Sequence, residues 1–196
     1  MTRSRGRAAW AVAIVCGLAL PTSCASRPKT KIERDIETMH SESTADKLVA
    51  RGRAFAQVGD MTRAEQYFAS ALERGADPNR VLPLLLDVCV SEGRYRVALD
   101  YAEPHLRKHP ANYRLRFVVA SLYATIGDSA TAIEQLQQVA QAQPQHADAH
   151  YALARLLRDE EGDIVGADQH FREYLRLQPG GPHADEARAS LLKSVK

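Results

Sequence analysis

No stretch of this sequence is apolar for long. The longest such run, Ala8 to Leu20, is 13 residues, and a helix needs roughly 20 to span a bilayer. Cysteine is scarce as well: only Cys16, Cys24 and Cys89 are present. Cys16 lies inside the apolar run, and Cys89 sits in the apolar pattern LLLDVCVSEG. That context reads as a small buried hydrophobe, and no disulfide framework follows from so few thiols. A basic surplus is also missing. The formal charge is +2 over 196 residues, but Arg3, Arg5 and Arg7 crowd the start and Met1 to Ser23 contains no acid. A chain beginning at Cys24 carries 23 basic and 24 acidic side chains. Phosphate neutralisation needs excess Lys and Arg, so no nucleic-acid partner is expected. Signatures of catalysis are absent too: no glycine-rich phosphate loop and no Ser-His-Asp set stands out. His105 with His109, and His146 with His150, are spaced four apart, which could supply two zinc ligands. Neither pair has the adjacent Glu of a metalloprotease, and no third ligand is evident. The chain is therefore read as no enzyme, with no metal, no cofactor and no small-molecule substrate.

What is present begins at the N-terminus. Arginines, then an apolar segment, then Thr22, Ser23, Cys24 and Ala25 follow the basic, apolar, small-residue order of an export signal. Residues 1–23 read as that signal, and 24–43 as a polar tether with weak helical spacing at Ile32, Ile36 and Met39. The leader with Cys24 resembles a bacterial lipoprotein, although Pro21 stands where that family usually has Leu. The resemblance implies lipid on Cys24 and a membrane anchor, and Ala25 after it implies the outer membrane facing the periplasm. Cleavage after Ala25, with Ser23 and Ala25 as the small residues, is the alternative.

The rest of the chain repeats itself. Gly59, Gly93 and Gly127 are spaced by 34, and Gly162 follows after 35. Ala64, Ala98, Ala132 and Ala167 keep the same intervals, as do Pro110, Pro144 and Pro179. The extra residue enters between Ala154 and Gly162, within LLRDEEGD. Each unit reads as two helices. Apolar residues fall at helical spacing, for example Leu48, Val49, Gly52, Phe55 and Ala56, then Ala64, Tyr67, Phe68, Ala71 and Leu72. Glycine closes the first helix and Asp60, Asp128 or Asp163 opens the second.

This pattern resembles the tetratricopeptide repeat (TPR) family. The matching residues are Leu48, Gly52, Phe55, Ala64, Phe68 and Ala71 in the first unit, and Leu82, Leu85, Leu86, Ala98 and Pro110 in the second. The third offers Val119, Ala120, Tyr123, Ala132 and Pro144; the fourth offers Leu153, Ala154, Leu157, Ala167, Phe171, Tyr174 and Pro179. Arg51, Arg116 and His150 stand where apolar residues are usual, and Ala102 where a large one is. The resemblance implies an all-α, right-handed solenoid of about four helix pairs over 44–180 (44–77, 78–111, 112–145, 146–180). Residues 181–196 are then a capping helix with Ala187, Leu191, Leu192 and Val195 inward. It further implies a concave groove on the first helix of each pair. Carried onto this chain, the groove includes Val49, Arg53, Gln57, Leu84, Asp87, Arg114, Phe117, Ser121, Tyr151, Arg155 and Arg158. Pro83 and Val118 join them. The expected function is a lipoprotein scaffold binding a peptide or helix of an envelope protein, in pilus or outer-membrane complex assembly. The alternative is a soluble periplasmic accessory using His146 and His150.

Overall fold

The computed structural model describes residues 30–32, 34 and 44–192. The chain divides into two units at Thr38 and Met39. Of the first, Thr30, Lys31, Ile32 and Arg34 are described, all exposed. The leader, Cys24 and the other tether residues lie outside the described residues.

In the second unit every regular element among the described residues is helical. The helices are α1 (Ala45–Gln57), α2 (Met61–Glu73), α3 (Pro78–Ser91), α4 (Tyr95–Lys108), α5 (Tyr113–Thr125) and α6 (Ser129–Ala142). Then come α7 (Ala147–Leu156) running into a π-helical turn (Leu157–Glu161), α8 (Ile164–Leu177) and α9 (Ala184–Ala189). Each helix packs on the next, and α5 also touches α7. Contacts between sequence neighbours, repeated, build a helical solenoid. None of the described helices is long and apolar enough to cross a membrane.

The turns show why the period holds. Gly59 takes φ of +80°, its N–H donates to the Ala56 carbonyl at 3.1 Å, and the Asp60 N–H reaches the Phe55 carbonyl at 2.9 Å. That pair of bonds satisfies carbonyls the helix end would leave open. The Asp60 carboxylate then accepts the Arg63 N–H at 3.0 Å and starts α2. Asp128 repeats the device on the Thr131 N–H at 3.1 Å. At Gly162 the ladder changes: the Asp163 N–H reaches back six residues, to the Leu157 carbonyl at 2.9 Å. The single inserted residue is absorbed there as the π-helical turn. Gly93 is followed by Arg94, which cannot cap in this way. Its guanidinium instead pairs with Glu65 on α2, whose other oxygen accepts from the Tyr101 hydroxyl at 3.1 Å.

Side-chain volumes alternate where paired helices cross. A Cβ on Gly52 would lie 2.6 Å from the buried Phe68 ring. The same two repeat positions hold Leu86 with Ala102, Ala120 with Leu136, and Ala154 with Phe171, all buried. A small residue at one position accompanies a large one at the other each time. Ala102, unusual for the family, is the counterpart of an oversized Leu86.

The other departures also have partners. Arg116 on α5 is 9% exposed; it donates to the Pro110 carbonyl at 2.9 Å and to Gln135 Oε1 on α6 at 2.5 Å. One repeat later His150 on α7 takes the same place. Its Nε2 lies 3.2 Å from the Pro144 carbonyl, and its Nδ1 lies 3.0 Å from His170 Nδ1 on α8. Arg51 is exposed at the repeat position where Leu85, Val119 and Leu153 are buried.

The C-terminal cap is shorter than the apolar spacing suggests. It spans six residues, buries Ala184 and Ala187, and leaves Leu192 43% exposed. The chain turns away because Asp168 accepts the Leu192 N–H at 2.8 Å and Arg172 donates to the Leu192 carbonyl at 3.3 Å. These polar anchors on α8 replace a further helical turn. Leu191 is half-buried, and Val195 lies outside the described residues.

Candidate partner-binding groove

The first helices of the pairs, α1, α3, α5 and α7, present equivalent side chains in columns one repeat apart. One column runs Val49, Pro83, Phe117, Tyr151; its neighbour runs Ala50, Leu84, Val118, Ala152. In the middle of the row Pro83 is exposed, and Leu84, Phe117 and Val118 are half-buried. Charged columns flank this strip. On one side are Asp46, Arg80, Arg114 and Asp148, all exposed, with Arg80 and Asp46 paired at 3.5 Å. On the other are Arg53, Asp87, Ser121 and Arg155, also exposed. Gln57 extends the row in the open. The Phe117 ring lies 4.7 Å from the His146 ring, and His146 Nδ1 accepts the Ala149 N–H at 3.2 Å.

Two expected groove residues are buried where the row meets its ends. Val49 is 6% exposed and belongs, with Leu48, to the core cluster that runs from the first helix to Leu122 on α5. Tyr151 is 7% exposed, covered by the C-terminal segment. Its ring stacks on His183 with centroids 3.9 Å apart, and its hydroxyl donates to Glu186 Oε2 at 2.5 Å. Arg158 closes the same corner: Nη2 meets Glu186 Oε1 at 3.2 Å, Nη1 donates to the Ser190 hydroxyl at 2.5 Å, and the guanidinium lies over the Phe171 ring at 5.3 Å. Arg155 approaches Asp159 and Glu186 at 3.9 and 4.0 Å. Burial and the bond to Glu186 push the Tyr151 hydroxyl pKa up to about 12. The same bond, followed by Arg158, holds the Glu186 carboxyl below its ordinary value.

His146 and His150 are not brought together. One caps α7 and faces Phe117, while the other is buried against His170. Among the described residues no group of three or more His, Cys, Asp or Glu could hold a metal ion. Cys89 is buried, and burial, then Glu65, pushes its thiol pKa up to about 11, away from a reactive thiolate. Glu186 and His170 were missed from the sequence. A repeat-by-repeat comparison marks His170, since it replaces Gln135 where His150 replaces Arg116.

The tetratricopeptide repeat pattern matches residues 89–135 and 120–182. No curated protein matches the sequence. Among solved structures, the TPR protein YrrB, described as having an unusual peptide-binding site, is similar at TM-score 0.65 with 21% identity, over 81% of both chains. A TPR protein from Parabacteroides merdae is similar at TM-score 0.67 with 23% identity, over 74% of this chain and 58% of that one. MamA from Desulfovibrio magneticus is similar at 0.61 with 22% identity, over 74% and 81%. The shared feature is a TPR-like helical solenoid.

Proposed function

We propose that this chain is a non-catalytic scaffold of a bacterial envelope, held to the outer membrane by lipid on Cys24 and binding a protein partner along its first helices. The observation that carries the groove is the strip Pro83, Leu84, Phe117 and Val118, set between two charged columns. Apolar centre and charged flanks suit a partner helix or extended peptide, with anchors buried and register set by ion pairs. The peptide-binding site described for YrrB, on a similar fold, supports the same use here. Pilus assembly and outer-membrane protein assembly are the settings proposed, on resemblance to TPR lipoproteins.

In vivo photo-cross-linking at position 118 should give a defined adduct. Phe117→Ala with Leu84→Asp should remove it while the helical circular dichroism persists. An unchanged adduct in that variant rejects the groove. Radioactive palmitate should label the wild type and not Cys24→Ala; label on both, or on neither, rejects the anchor.

A further inference from the structure

The corner at the end of the groove holds a carboxylate already. It is the chain's own Glu186, received by the Tyr151 hydroxyl at 2.5 Å, by Arg158 Nη2 at 3.2 Å and, at 4.0 Å, by Arg155 Nε. All three receivers project from α7 and the turn after it, the last of the first helices. The occupant is weakly built: α9 is six residues long, its buried side chains are two alanines, and Pro179, Gly180, Gly181 and Pro182 precede it. Its remaining anchorage is shared between this corner, through the His183 stack, Glu186 and Ser190, and α8, where the Tyr174 hydroxyl accepts the His183 N–H at 3.1 Å and Asp168 and Arg172 hold Leu192. Arg155 is 53% exposed and meets its carboxylates only at the limit of an ion pair. Its planar fork has donors to spare for a second acid.

We infer that Tyr151, Arg155 and Arg158 form a carboxylate-reading site, that its ligand is an acidic side chain of a partner helix, and that Glu186 occupies it as a displaceable stand-in. This rests on the groove reading above. A partner segment with an aromatic or imidazole ring three residues before a Glu would reproduce the spacing of His183 and Glu186. Occupation by the chain's own acid lowers the partner's apparent affinity by the fraction of time the corner is open.

The test uses a fluorescein-labelled, amidated peptide of residues 181–192 as probe, read by fluorescence polarisation on the chain from Ser26 to Lys196. Glu186→Gln keeps the shape of the internal occupant and removes its charge. The variant is expected to bind the probe at least tenfold tighter than wild type, and Arg155→Ala with Arg158→Ala, added to it, to abolish binding. A probe carrying Gln in place of its own Glu should not bind. Equal binding by wild type and Glu186→Gln, or by the two probes, overturns the proposal. Circular dichroism melts of each variant identify loss of fold, and hydrogen exchange gives a second reading: amides of 184–190 should exchange faster in Glu186→Gln while those of α5 and α6 do not. Uniform exchange also overturns it. A failed probe with an intact cross-link at position 118 rejects this site alone; loss of the position-118 adduct's dependence on Phe117 rejects the groove.

Discussion

The alternation of small and large residues at the helix crossings can be tested at Leu86 and Ala102. Leu86 is 5% exposed and Ala102 is fully buried in the same core. Gly52 with Phe68 shows how tight the place is: a Cβ there would meet ring carbons at 2.6 and 2.7 Å. Leu86→Ala leaves a cavity, a loss of about 2–5 kcal/mol. Ala102→Leu forces extra carbons into a filled site, a loss of about 1–3 kcal/mol. Independent effects would sum to roughly 3–8 kcal/mol. The double variant restores the Ala-with-Leu arrangement of the third repeat at Ala120 and Leu136, so volume is conserved, and its loss should stay under about 1.5 kcal/mol. Urea unfolding followed at the helical circular dichroism band measures this. With m of about 1–3 kcal/mol/M, each single variant should lower the midpoint clearly, and the double variant should regain most of it. A double variant as unstable as the sum of the singles would refute the pairing.

Two further outcomes follow from local chemistry. Asp128→Ala removes the acceptor of the Thr131 N–H at 3.1 Å and of the Thr131 hydroxyl at 2.9 Å; it should cost about 1 kcal/mol in urea unfolding, and no change would reject that cap. The His150–His170 contact predicts a pH effect. With His150 Nε2–H on Pro144 and His170 Nδ1–H on His150, the contact is satisfied. Burial, then His150, lowers the His170 pKa from 6.5, while Glu173 and Asp163 raise it. The unfolded chain therefore takes up this proton first as pH falls, and stability declines from about pH 6.5 towards the lower folded value. His170→Gln copies Gln135 and should lose less melting temperature between pH 7.5 and 5.5 than the wild type. Equal losses would reject His170 as the group behind the pH effect.

Much of the fold was legible because its causes are local. The Gly-Asp turns, the alanine series and the apolar spacing act within one helix pair, so a period of 34 predicts the stacked helices. The one irregular interval also pointed to its place: the residue between Ala154 and Gly162 is the π-helical turn at Leu157–Glu161. The exposure of the candidate groove positions was only partly legible. Arg53, Asp87, Ser121 and Arg155 lie on the surface, whereas Val49 is part of the core and Tyr151 is covered. Family position names a face of a helix; it does not say how far one side chain leans or what later segment lies over it. The cap illustrates the same limit, since Leu191, Leu192 and Val195 suggested a longer helix than Asp168 and Arg172 allow.

Sequence alone thus determined the repeating helix pairs, the capped turns and the site of the insertion, because hydrogen bonds and helical periodicity act over a few residues. Only the tertiary structure decided what fills each crossing and each buried polar place: Leu86 with Ala102, Arg116 with Gln135, His150 with His170, and Glu186 on Tyr151 and Arg158. Those pairings join residues 16 to 35 positions apart, and they follow from volume and charge meeting in space, which periodicity does not encode.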